Sequence, residues 1–288
     1  MNLALARISR ILPWSCVDGP GNRMVLFLQG CNFACAACHN PHTIGQCNDC
    51  GDCLPACPTG ALTLVAGRMV FDPAFCTQCD ACLRACPISA SPMALSYGVA
   101  DILARLHQNR AFLSGLTVSG GEPTLQGGFI RALFSAIHAD PALAGLTCFI
   151  DSNGNLGAQG WAALLPQTDG VMLDIKAFAP ALHLAMTGRS NARSLASARL
   201  VHAAGKLHEL RFLLIPGQTD SDAEINHLIR FCHDLGGPLP LRLNAFHPQG
   251  AAGAAADAPS MPQDRTEAVA DRLRAAGLGP VILPTVWL

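Results

Sequence analysis

The sequence predicts an α/β protein whose parallel sheet curls into a full or partial barrel and carries one small inserted domain. Two observations predict the barrel: short apolar runs alternate with helical patterns, and each run ends at a glycine, a proline, an asparagine or a charge. A third observation predicts the insert, because residues 46–92 are rich in cysteine, proline, glycine and alanine and have little periodicity. We therefore expect the barrel over 1–45 and 93–288 and the insert over 46–92.

The first predicted strand is the apolar run at 23–30, which ends directly at Cys31. Five later runs have the same character, and helical patterns separate them. Ligands of such folds gather at the carboxyl ends of the strands, so side chains that follow the strands are candidate site residues. The later strands are predicted at 115–123, 145–154, 170–176, 208–217 and 240–247, and the helices at 98–113, 127–139, 192–204, 221–235 and 263–276.

The composition excludes several classes of function. The 288 residues are 50% hydrophobic and 14% charged with a formal net charge of -1, so the basic surplus of a nucleic-acid-binding protein is missing. The amino terminus has arginines at 7 and 10 and no sustained apolar run, which argues against a signal peptide and a membrane span. We expect a cytoplasmic protein that binds neither nucleic acid nor membrane.

The chain has fourteen cysteines, and their spacing indicates ligation rather than disulfides. Eleven of them fall between residues 31 and 86 in regular spacings, which favours metal or cluster binding in a reducing compartment. The other three, Cys16, Cys148 and Cys232, stand apart from any such spacing. We expect these three to be small apolar core residues.

Two runs of the pattern C-x2-C-x2-C-x3-C-P occupy the insert. This is the run of bacterial ferredoxins, in which the fourth cysteine ligates the other cluster. Structural zinc on eight thiolates is the alternative, but zinc sites rarely carry three evenly spaced steps with a trailing Cys-Pro. The expected sets are one 4Fe-4S cluster on Cys47, Cys50, Cys53 and Cys86, and another on Cys76, Cys79, Cys82 and Cys57.

Cys31, Cys35 and Cys38 form a different pattern, CxxxCxxC. Three ligands on a 4Fe-4S cluster leave one iron open, and open positions at catalytic metals bind substrate. His39 is the alternative fourth ligand, but it directly follows Cys38 and would strain to reach the remaining iron. The spacing therefore predicts a catalytic cluster with one open iron.

The trio resembles the signature of radical S-adenosylmethionine (SAM) enzymes. The stretch SCVDGPGNRMVLFLQGC (15–31) resembles the branch that activates glycyl radical enzymes, such as the pyruvate formate-lyase activase, and the insert is most similar to the YjjW-type subgroup. The resemblance implies a partial (β/α)6 radical SAM barrel with an inserted two-cluster ferredoxin-like domain. It also implies that an electron from the cluster cleaves SAM, giving a 5'-deoxyadenosyl radical that abstracts hydrogen from a glycine Cα of a partner enzyme.

Further segments are similar to the family's SAM-binding motifs. The glycines of SGGEP (119–123) let backbone groups approach a ligand closely, and the resemblance implies that this segment binds the methionine amino group. It also implies that Lys176 pairs with the methionine carboxylate. The residues implied to contact SAM are Gly120, Gly121, Glu122, Asp151, Ser152, Asp174, Lys176, Arg211 and His247.

The resemblance further implies a monovalent cation beside the SAM carboxylate. Its ligands would be Asp151, Ser152, the Met172 carbonyl and Asp174. Two aspartates and a carboxylate in a partly dry site need cationic partners, so the arrangement is electrostatically sensible. The alternative for Asp174 and Lys176 is a surface ion pair, since they lie two apart on a strand.

The family usually has an aromatic residue before the third cysteine, where it touches the adenine, and this chain has Ala37. Adenine packing is therefore left to Phe33 or to the apolar strand ends. We expect substrate-side contacts at Asp18 and His39.

The resemblance implies two protein partners: a glycyl radical enzyme as substrate, and a ferredoxin or flavodoxin as electron donor. We expect a monomer with three 4Fe-4S clusters, in which the two insert clusters relay electrons, and a structural role for them is the alternative. Two other functions stay open: a radical SAM enzyme acting on a small molecule, such as a deazapurine-forming synthase, and a non-catalytic electron-transfer module. The DGPGxR stretch counts against the first, and the second leaves Glu122, Asp174 and Lys176 without a task.

Overall fold

The computed structural model describes residues 4–249, 251 and 253–285, and the chain divides into two units. The first unit takes in the chain up to Asn32 together with Asn40–Cys148. The second unit takes in Phe33–His39 and the chain from Phe149 onward.

The first unit contains six strands and three α-helices among the residues that the structure describes. They are β1 (Leu5–Ser15), β2 (Arg23–Leu28), β3 (Leu62–Val65), β4 (Arg68–Phe71), α1 (Ala81–Arg84), β5 (Leu95–Gly98), α2 (Val99–Asn109), β6 (Gly115–Gly120) and α3 (Gly127–Ala139). The main sheet has the order β5–β1–β2–β6, with β2 parallel to β6 and β1 antiparallel to both of its neighbours. Five of the six residues of β2 are buried, which explains its unbroken apolar run.

The segment between β2 and β5 is built around the antiparallel hairpin of β3 and β4. Cys53, Leu62 and Cys82 form its buried centre, against which Met69 and Phe71 pack. Asp49 fastens the hairpin, because its carboxylate accepts hydrogen bonds from Met69 N at 2.8 Å and Arg68 Nη1 at 3.0 Å.

The second unit is a parallel sheet with a helix after each of its strands up to β10. Its elements are β7 (Thr147–Ser152, in this unit from Phe149), α4 (Ala158–Leu164), β8 (Gly170–Ile175), α5 (Pro180–Thr187), α6 (Ala192–Ala203), β9 (Leu207–Leu214), α7 (Asp222–Leu235), β10 (Leu241–Ala245), α8 (Gln263–Ala275) and β11 (Val281–Ile282). The strand order β7–β8–β9–β10–β11 follows the chain, and every pairing is parallel. This is the βα alternation that the sequence predicts.

The start of α7 holds the segment that leaves β8. Ser221 caps α7 by accepting a hydrogen bond from Glu224 N at 3.4 Å. The buried carboxylate of Glu224 in turn accepts hydrogen bonds from Phe178 N at 2.6 Å and Ala179 N at 2.7 Å. The backbone just after Lys176 is thereby fixed.

All six predicted strands and all five predicted helices are confirmed within a few residues at their ends. The sequence analysis missed β1, the β3–β4 hairpin, β5, β11, α1, α4 and α5. Strand β1 is interrupted by two arginines, a serine and a proline, and only three of its eleven residues are buried, so it lacks the apolar run used to find the others. Helices α4 and α5 have only seven and eight residues, which is too short for a clear 3.6-residue period.

The core prediction is confirmed for two of the three isolated cysteines and wrong for the third. Cys148 and Cys232 are buried, whereas Cys16 is exposed. Cys16 lies in the turn after β1 ends at Ser15, outside the sheet.

None of the helices in the described part of the chain combines the length and the apolarity needed to cross a bilayer.

Candidate active site

The glycine pair Gly120–Gly121 at the end of β6 lies directly against the backbone that leads to Cys31. Glu122 N donates a hydrogen bond to Gly30 O at 2.8 Å, and Gly121 N donates one to Leu28 O at 2.9 Å. A Cβ atom on Gly121 would stand 2.2 Å from Gly30 O and 2.6 Å from Thr43 O. Glycine is therefore required here, because both obstacles are backbone atoms.

Glu122 is buried at the end of this turn, with 1% of its surface exposed. Its Oε1 accepts hydrogen bonds from Thr124 N at 3.1 Å and Thr124 Oγ1 at 2.5 Å. A buried carboxylate held this way is fixed in place for a cationic partner.

Cys31 lies in the first unit and is held by its backbone. Its amide donates a hydrogen bond to Ile44 O at 3.0 Å, and the Gly30 amide donates one to Thr43 O at 2.8 Å. The thiol of Cys31 is half-buried.

Cys35 and Cys38 lie in the second unit, on a loop attached to the end of α5. Ala34 N donates a hydrogen bond to Thr187 O, and Ala36 N donates one to Met186 O, both at 3.0 Å. The Phe33 ring meets the His183 ring edge-on at 5.4 Å and is 2% exposed. Phe33 is thus part of the packing beneath the loop.

Lys176 brings a positive charge to the two cysteines of the second unit. Its Nζ lies 3.0 Å from Asp174 Oδ2, and the two side chains are about a quarter exposed. Burial disfavours the charged form, but Asp174 and then Cys35 outweigh it and raise the pKa of Lys176. The ion pair expected as the alternative is therefore present, but it lies partly buried beside Cys35 rather than on the open surface.

Burial raises the pKa of the Cys35 thiol to about 11, and the charge of Lys176 works in the opposite direction. Ligation of iron requires the thiolate, so a neighbouring cation or metal must stabilise the deprotonated form. Lys176 is placed to do this for Cys35.

Arg211 links β7, β8 and β9. Its Nη1 donates to Asp151 Oδ1 at 3.1 Å, and its Nη2 lies 2.8 Å from Met172 Sδ. Arg211 is paired in register with Asp174 on β8. It lies in the middle of β9 rather than at the strand end, because β9 continues to Leu214.

Glu209 holds Arg211 from the other side. Its Oε1 accepts hydrogen bonds from Arg211 Nε at 2.7 Å and from Arg242 Nε at 2.9 Å. Burial works against ionisation of Glu209, but the two arginines outweigh it and lower its pKa. For Arg211, burial is outweighed by Asp151, Asp174 and Glu209, which raise its pKa.

His39 and His247 form a stacked pair in the second unit. Their ring centroids are 4.5 Å apart with 8° between the planes. His39 Nε2 lies 3.1 Å from His247 O, and a carbonyl only accepts, so this nitrogen carries the proton. Burial lowers the pKa of His39.

The turn after β1, which carries Asp18, belongs to the first unit. Asp18 Oδ2 accepts a hydrogen bond from Ser15 Oγ at 2.5 Å, and Asp18 O accepts one from Thr117 Oγ1 at 2.7 Å. The fully buried Arg23 supports the same turn, since its Nη1 donates to Pro20 O at 3.2 Å and its Nε to Thr117 Oγ1 at 2.8 Å.

The eight cysteines of 46–92 line two cavities. Cys47, Cys50, Cys53 and Cys86, called the first set, line one small cavity. The second set, Cys57, Cys76, Cys79 and Cys82, lines another small cavity. Burial raises the pKa of Cys82 to about 11, so this thiol too needs a metal partner to become a thiolate.

The site residues expected from the sequence are thus distributed over both units. The first unit holds Asp18, Cys31, Gly120, Gly121, Glu122 and both cysteine sets. The second unit brings together Cys35, Cys38, His39, Asp151, Ser152, Met172, Asp174, Lys176, Arg211 and His247. Ser152 Oγ accepts a hydrogen bond from Gly154 N at 2.9 Å, which shapes the end of β7.

Sequence reasoning missed Glu209, Arg23 and Glu224. The sequence did contain a signal for Glu209. Glu209 and Arg211 lie two residues apart in HELRFLLIPG, so on a strand both side chains point to the same face of an otherwise apolar segment. Arg23 opens an apolar run and was not distinguished from a strand boundary. Nothing in the local sequence around Glu224 distinguishes it from an acidic residue that is exposed in the first turn of a helix.

Residues 25–229 match the family model of the radical SAM superfamily. The chain belongs to this superfamily. The isethionate sulfite-lyase activating enzyme of Desulfovibrio desulfuricans is 33% identical over 251 residues, covering 78% of each chain. The pyruvate formate-lyase-activating enzyme of Streptococcus mutans is 32% identical over 239 residues, covering 81% of this chain and 74% of the relative.

Among solved structures, QueE from Escherichia coli has a TM-score of 0.58 at 14% identity, covering 98% of this chain and 95% of that one. At this identity the likeness concerns the fold alone. The resemblance to radical SAM activating enzymes is confirmed, and the protein is a radical SAM enzyme with the α/β fold and mostly parallel strand pairing of that superfamily.

The donor groups fit the cofactors of a radical SAM enzyme. Cysteines are the ligands of 4Fe-4S clusters, and the structure offers CxxxCxxC with Lys176 beside two of the three thiols. The carboxylates of Asp151 and Asp174, the ammonium of Lys176 and the guanidinium of Arg211 are of the chemical types that pair with the charged groups of SAM.

Proposed function

We propose that this radical SAM enzyme activates a partner glycyl radical enzyme. The observation that carries the proposal is the likeness to two activating enzymes, each more than 30% identical over about four fifths of the chain. When bound, the catalytic cluster and SAM would supply one electron and a 5'-deoxyadenosyl radical that takes a hydrogen atom from the glycine Cα.

In this proposal Cys31, Cys35 and Cys38 hold the catalytic 4Fe-4S cluster. The turn at Gly120 and Gly121 places backbone groups and Glu122 toward the methionine amino group. Lys176 neutralises the methionine carboxylate and stabilises the Cys35 thiolate, as its position beside Asp174 and Cys35 supports.

Arg211 and His247 complete the SAM contacts. The oxygens of Asp151, Ser152, Met172 and Asp174 would hold a monovalent cation, and register pairs Asp151 with Met172 on neighbouring strands. Asp18 and His39 would contact the substrate peptide.

Each cysteine set of 46–92 would hold one further 4Fe-4S cluster, and a ferredoxin or flavodoxin would be the electron donor. The lining of the two cavities supports this assignment, because each contains four thiols from both halves of the segment. The proposal includes a partial (β/α)6 barrel, a ferredoxin-like insert over 46–92 and membership of the YjjW-type subgroup.

A glycine delivers its Cα to such a site because it has no side chain to block the approach. The loop that carries the target glycine must move out of the interior of its own protein to reach this enzyme. Partner binding is therefore coupled to a conformational change whose free-energy cost the interface offsets.

The test is anaerobic reconstitution with iron, sulfide, SAM, dithionite and a candidate glycyl radical enzyme encoded beside this chain. We expect 5'-deoxyadenosine by chromatography and a glycine-centred doublet by electron paramagnetic resonance (EPR). Cys35→Ala should abolish both signals, and Cys16→Ala is the matched control because Cys16 is exposed and lies outside every proposed ligand set.

The outcomes separate the alternatives. Cleavage of SAM without a doublet, together with turnover of a small molecule, would favour a small-molecule radical SAM enzyme. Absence of 5'-deoxyadenosine from the fully reconstituted, reduced protein would leave only electron transfer and would overturn the proposal.

A further inference from the structure

Residues 40–46 lead from the cysteine trio into the insert, and they are hydrogen bonded on two sides. On one side, Cys31 N donates to Ile44 O at 3.0 Å and Gly30 N donates to Thr43 O at 2.8 Å. On the other side, Thr43 forms an antiparallel bridge with Ala90, and Gly45 N donates to Ser89 O at 2.9 Å. This short segment therefore joins the Cys31 backbone to residues 89 and 90.

The first set is attached to the same segment at two points. Ala90 N donates a hydrogen bond to Cys86 Sγ at 3.4 Å. Cys47 directly follows Gln46, whose Nε2 donates to Gln29 O at 3.1 Å, two residues before Cys31. Two cysteines of the first set are thus linked to the Cys31 backbone through covalent and hydrogen bonds alone.

The side-chain contacts of Cys57 and Cys76, two members of the second set, lie within the insert and at Met93, which directly follows it. Cys76 Sγ lies 3.9 Å from Met93 Sδ and accepts a hydrogen bond from Gln78 N at 3.4 Å. Cys57 Sγ lies 3.8 Å from Thr59 Oγ1.

The two sets meet in the centre of the insert. Cys53 of the first set and Cys82 of the second belong to one buried cluster with Leu62. Cys57 follows Cys53 by four residues and Cys86 follows Cys82 by four, so each set takes one ligand from the other run. Electron tunnelling slows steeply with distance and with each gap that is not bridged by bonds. The shared buried centre joins the two sets, and the bonded route joins the first set to Cys31, so together they form a path for electrons.

We propose that the path has a direction: electrons enter at the second set, pass to the first set, and reach Cys31 through Ala90, Thr43 and Ile44. This inference rests on the proposed function, in which each set holds a 4Fe-4S cluster. A reduced ferredoxin or flavodoxin loses one electron and the catalytic site gains one. No proton or group is transferred along the path.

The test compares two variants that each remove one exposed cysteine, Cys79→Ala in the second set and Cys50→Ala in the first. Each reconstituted protein is mixed with photoreduced flavodoxin and freeze-quenched. EPR and Mössbauer spectra then report which clusters are present and how fast each is reduced. Cys16→Ala is the matched control for loss of an exposed cysteine.

In Cys50→Ala, flavodoxin should still reduce the second-set cluster at the wild-type rate. In Cys79→Ala, reduction of the first-set cluster should slow at least tenfold. In both variants the ratio of flavodoxin-driven to dithionite-driven 5'-deoxyadenosine should fall at least tenfold, whereas in Cys16→Ala it should not change. The ratio corrects each variant for damage to the catalytic site itself.

The reverse pattern would overturn the direction: a first-set cluster reduced at the wild-type rate in Cys79→Ala, with a second-set cluster that flavodoxin no longer reduces in Cys50→Ala. Unchanged ratios in both variants would overturn the path altogether. These results differ from failure of the proposed function, which is absence of 5'-deoxyadenosine from the wild-type protein even with dithionite.

A second pair of variants tests the bonded link without removing a ligand. Ala90→Pro deletes the amide that donates to Cys86 Sγ, and Ala90→Gly keeps it. Hydrogen bonds to cluster sulfurs favour the reduced state, so Ala90→Pro should lower the reduction potential of the first-set cluster in an EPR-monitored titration, and Ala90→Gly should not. Equal potentials in the two variants would remove Ala90 from the path.

Discussion

Glu209 Oε1 accepts a hydrogen bond from Arg211 Nε at 2.7 Å, and the two residues are 3% and 9% exposed. The same oxygen accepts a bond from Arg242 Nε, so one buried carboxylate holds two guanidinium groups. Arg211 has its remaining donors on Asp151 and Met172. Glu209 therefore sets the orientation of Arg211, a proposed SAM contact.

We expect Glu209→Gln to destabilise the protein by about 3 kcal/mol, because it leaves buried positive charge with one negative partner fewer. Arg242→Gln, the matched control, should cost about 1 kcal/mol or less, since Arg242 is 30% exposed. Anaerobic urea unfolding of the reconstituted variants measures both. Equal costs for the two variants would show that Glu209 is not the centre of this network.

Gly121 should tolerate no side chain. Gly121→Ala places a Cβ within 2.2 Å of Gly30 O, so we expect a loss of stability of about 3 kcal/mol or more and weaker SAM binding. Gly128→Ala is the control, because its Cβ would meet nothing within 4 Å and alanine favours the helix α3. Thermal unfolding and equilibrium dialysis of labelled SAM report the two effects, and a Gly121→Ala protein that binds SAM normally would contradict the tight backbone contact.

Arg23 should be essential for the shape of the turn that carries Asp18. Its guanidinium also donates to Thr147 Oγ1 at 2.9 Å, Leu116 O at 2.8 Å and Thr147 O at 2.7 Å. Arg23→Met would leave these buried acceptors unsatisfied, so we expect a loss of at least about 3 kcal/mol.

Hydrogen exchange of the amides at 16–22 measures the local effect of Arg23→Met, and their protection should fall at least tenfold. Arg10→Met is the control, because Arg10 is exposed on β1 and its loss should leave these amides unchanged. Unaltered exchange in the Arg23 variant would mean that the turn holds its shape through the sheet alone.

The sequence located the parallel strands because a strand buried on both faces contains a continuous apolar run, as residues 24–28 of β2 and 171–173 of β8 do. It could not locate β1, in which the exposed Arg7 and Arg10 interrupt the apolar run. The spacing of the cysteines predicted the three ligand sets, and the resemblance to the family supplied the SAM-contact residues; both assignments stay predictions.

The supporting contacts could not be predicted because they depend on pairing between distant strands. Glu209 joins Arg242 across 33 residues, and Arg23 joins Thr147 across 124. In neither pair does the sequence around one residue identify the distant residue that it contacts. Cys16 was assigned to the core by residue type alone. It is exposed instead, because it lies in the turn that follows the end of β1.

Alkylation tests the whole ligand assignment in one experiment. In the fully reconstituted protein, eleven cysteines would be bound to iron, Cys148 and Cys232 are buried, and burial raises the pKa of Cys232 to about 12, so that it stays protonated at neutral pH. Iodoacetamide under anaerobic conditions should therefore label Cys16 alone, as peptide mass spectrometry would show.

Removing the iron with a chelator should expose Cys50 and Cys79 first, because they are the exposed members of the two sets. Their labelling in the loaded protein at the rate of Cys16 would contradict ligation, since an iron-bound thiolate is both shielded and poorly nucleophilic. We expect labelling of the two sets only after chelation, with Cys53 and Cys82 labelled last. These two thiols are buried with Leu62, so the reagent reaches them only when that buried cluster unfolds.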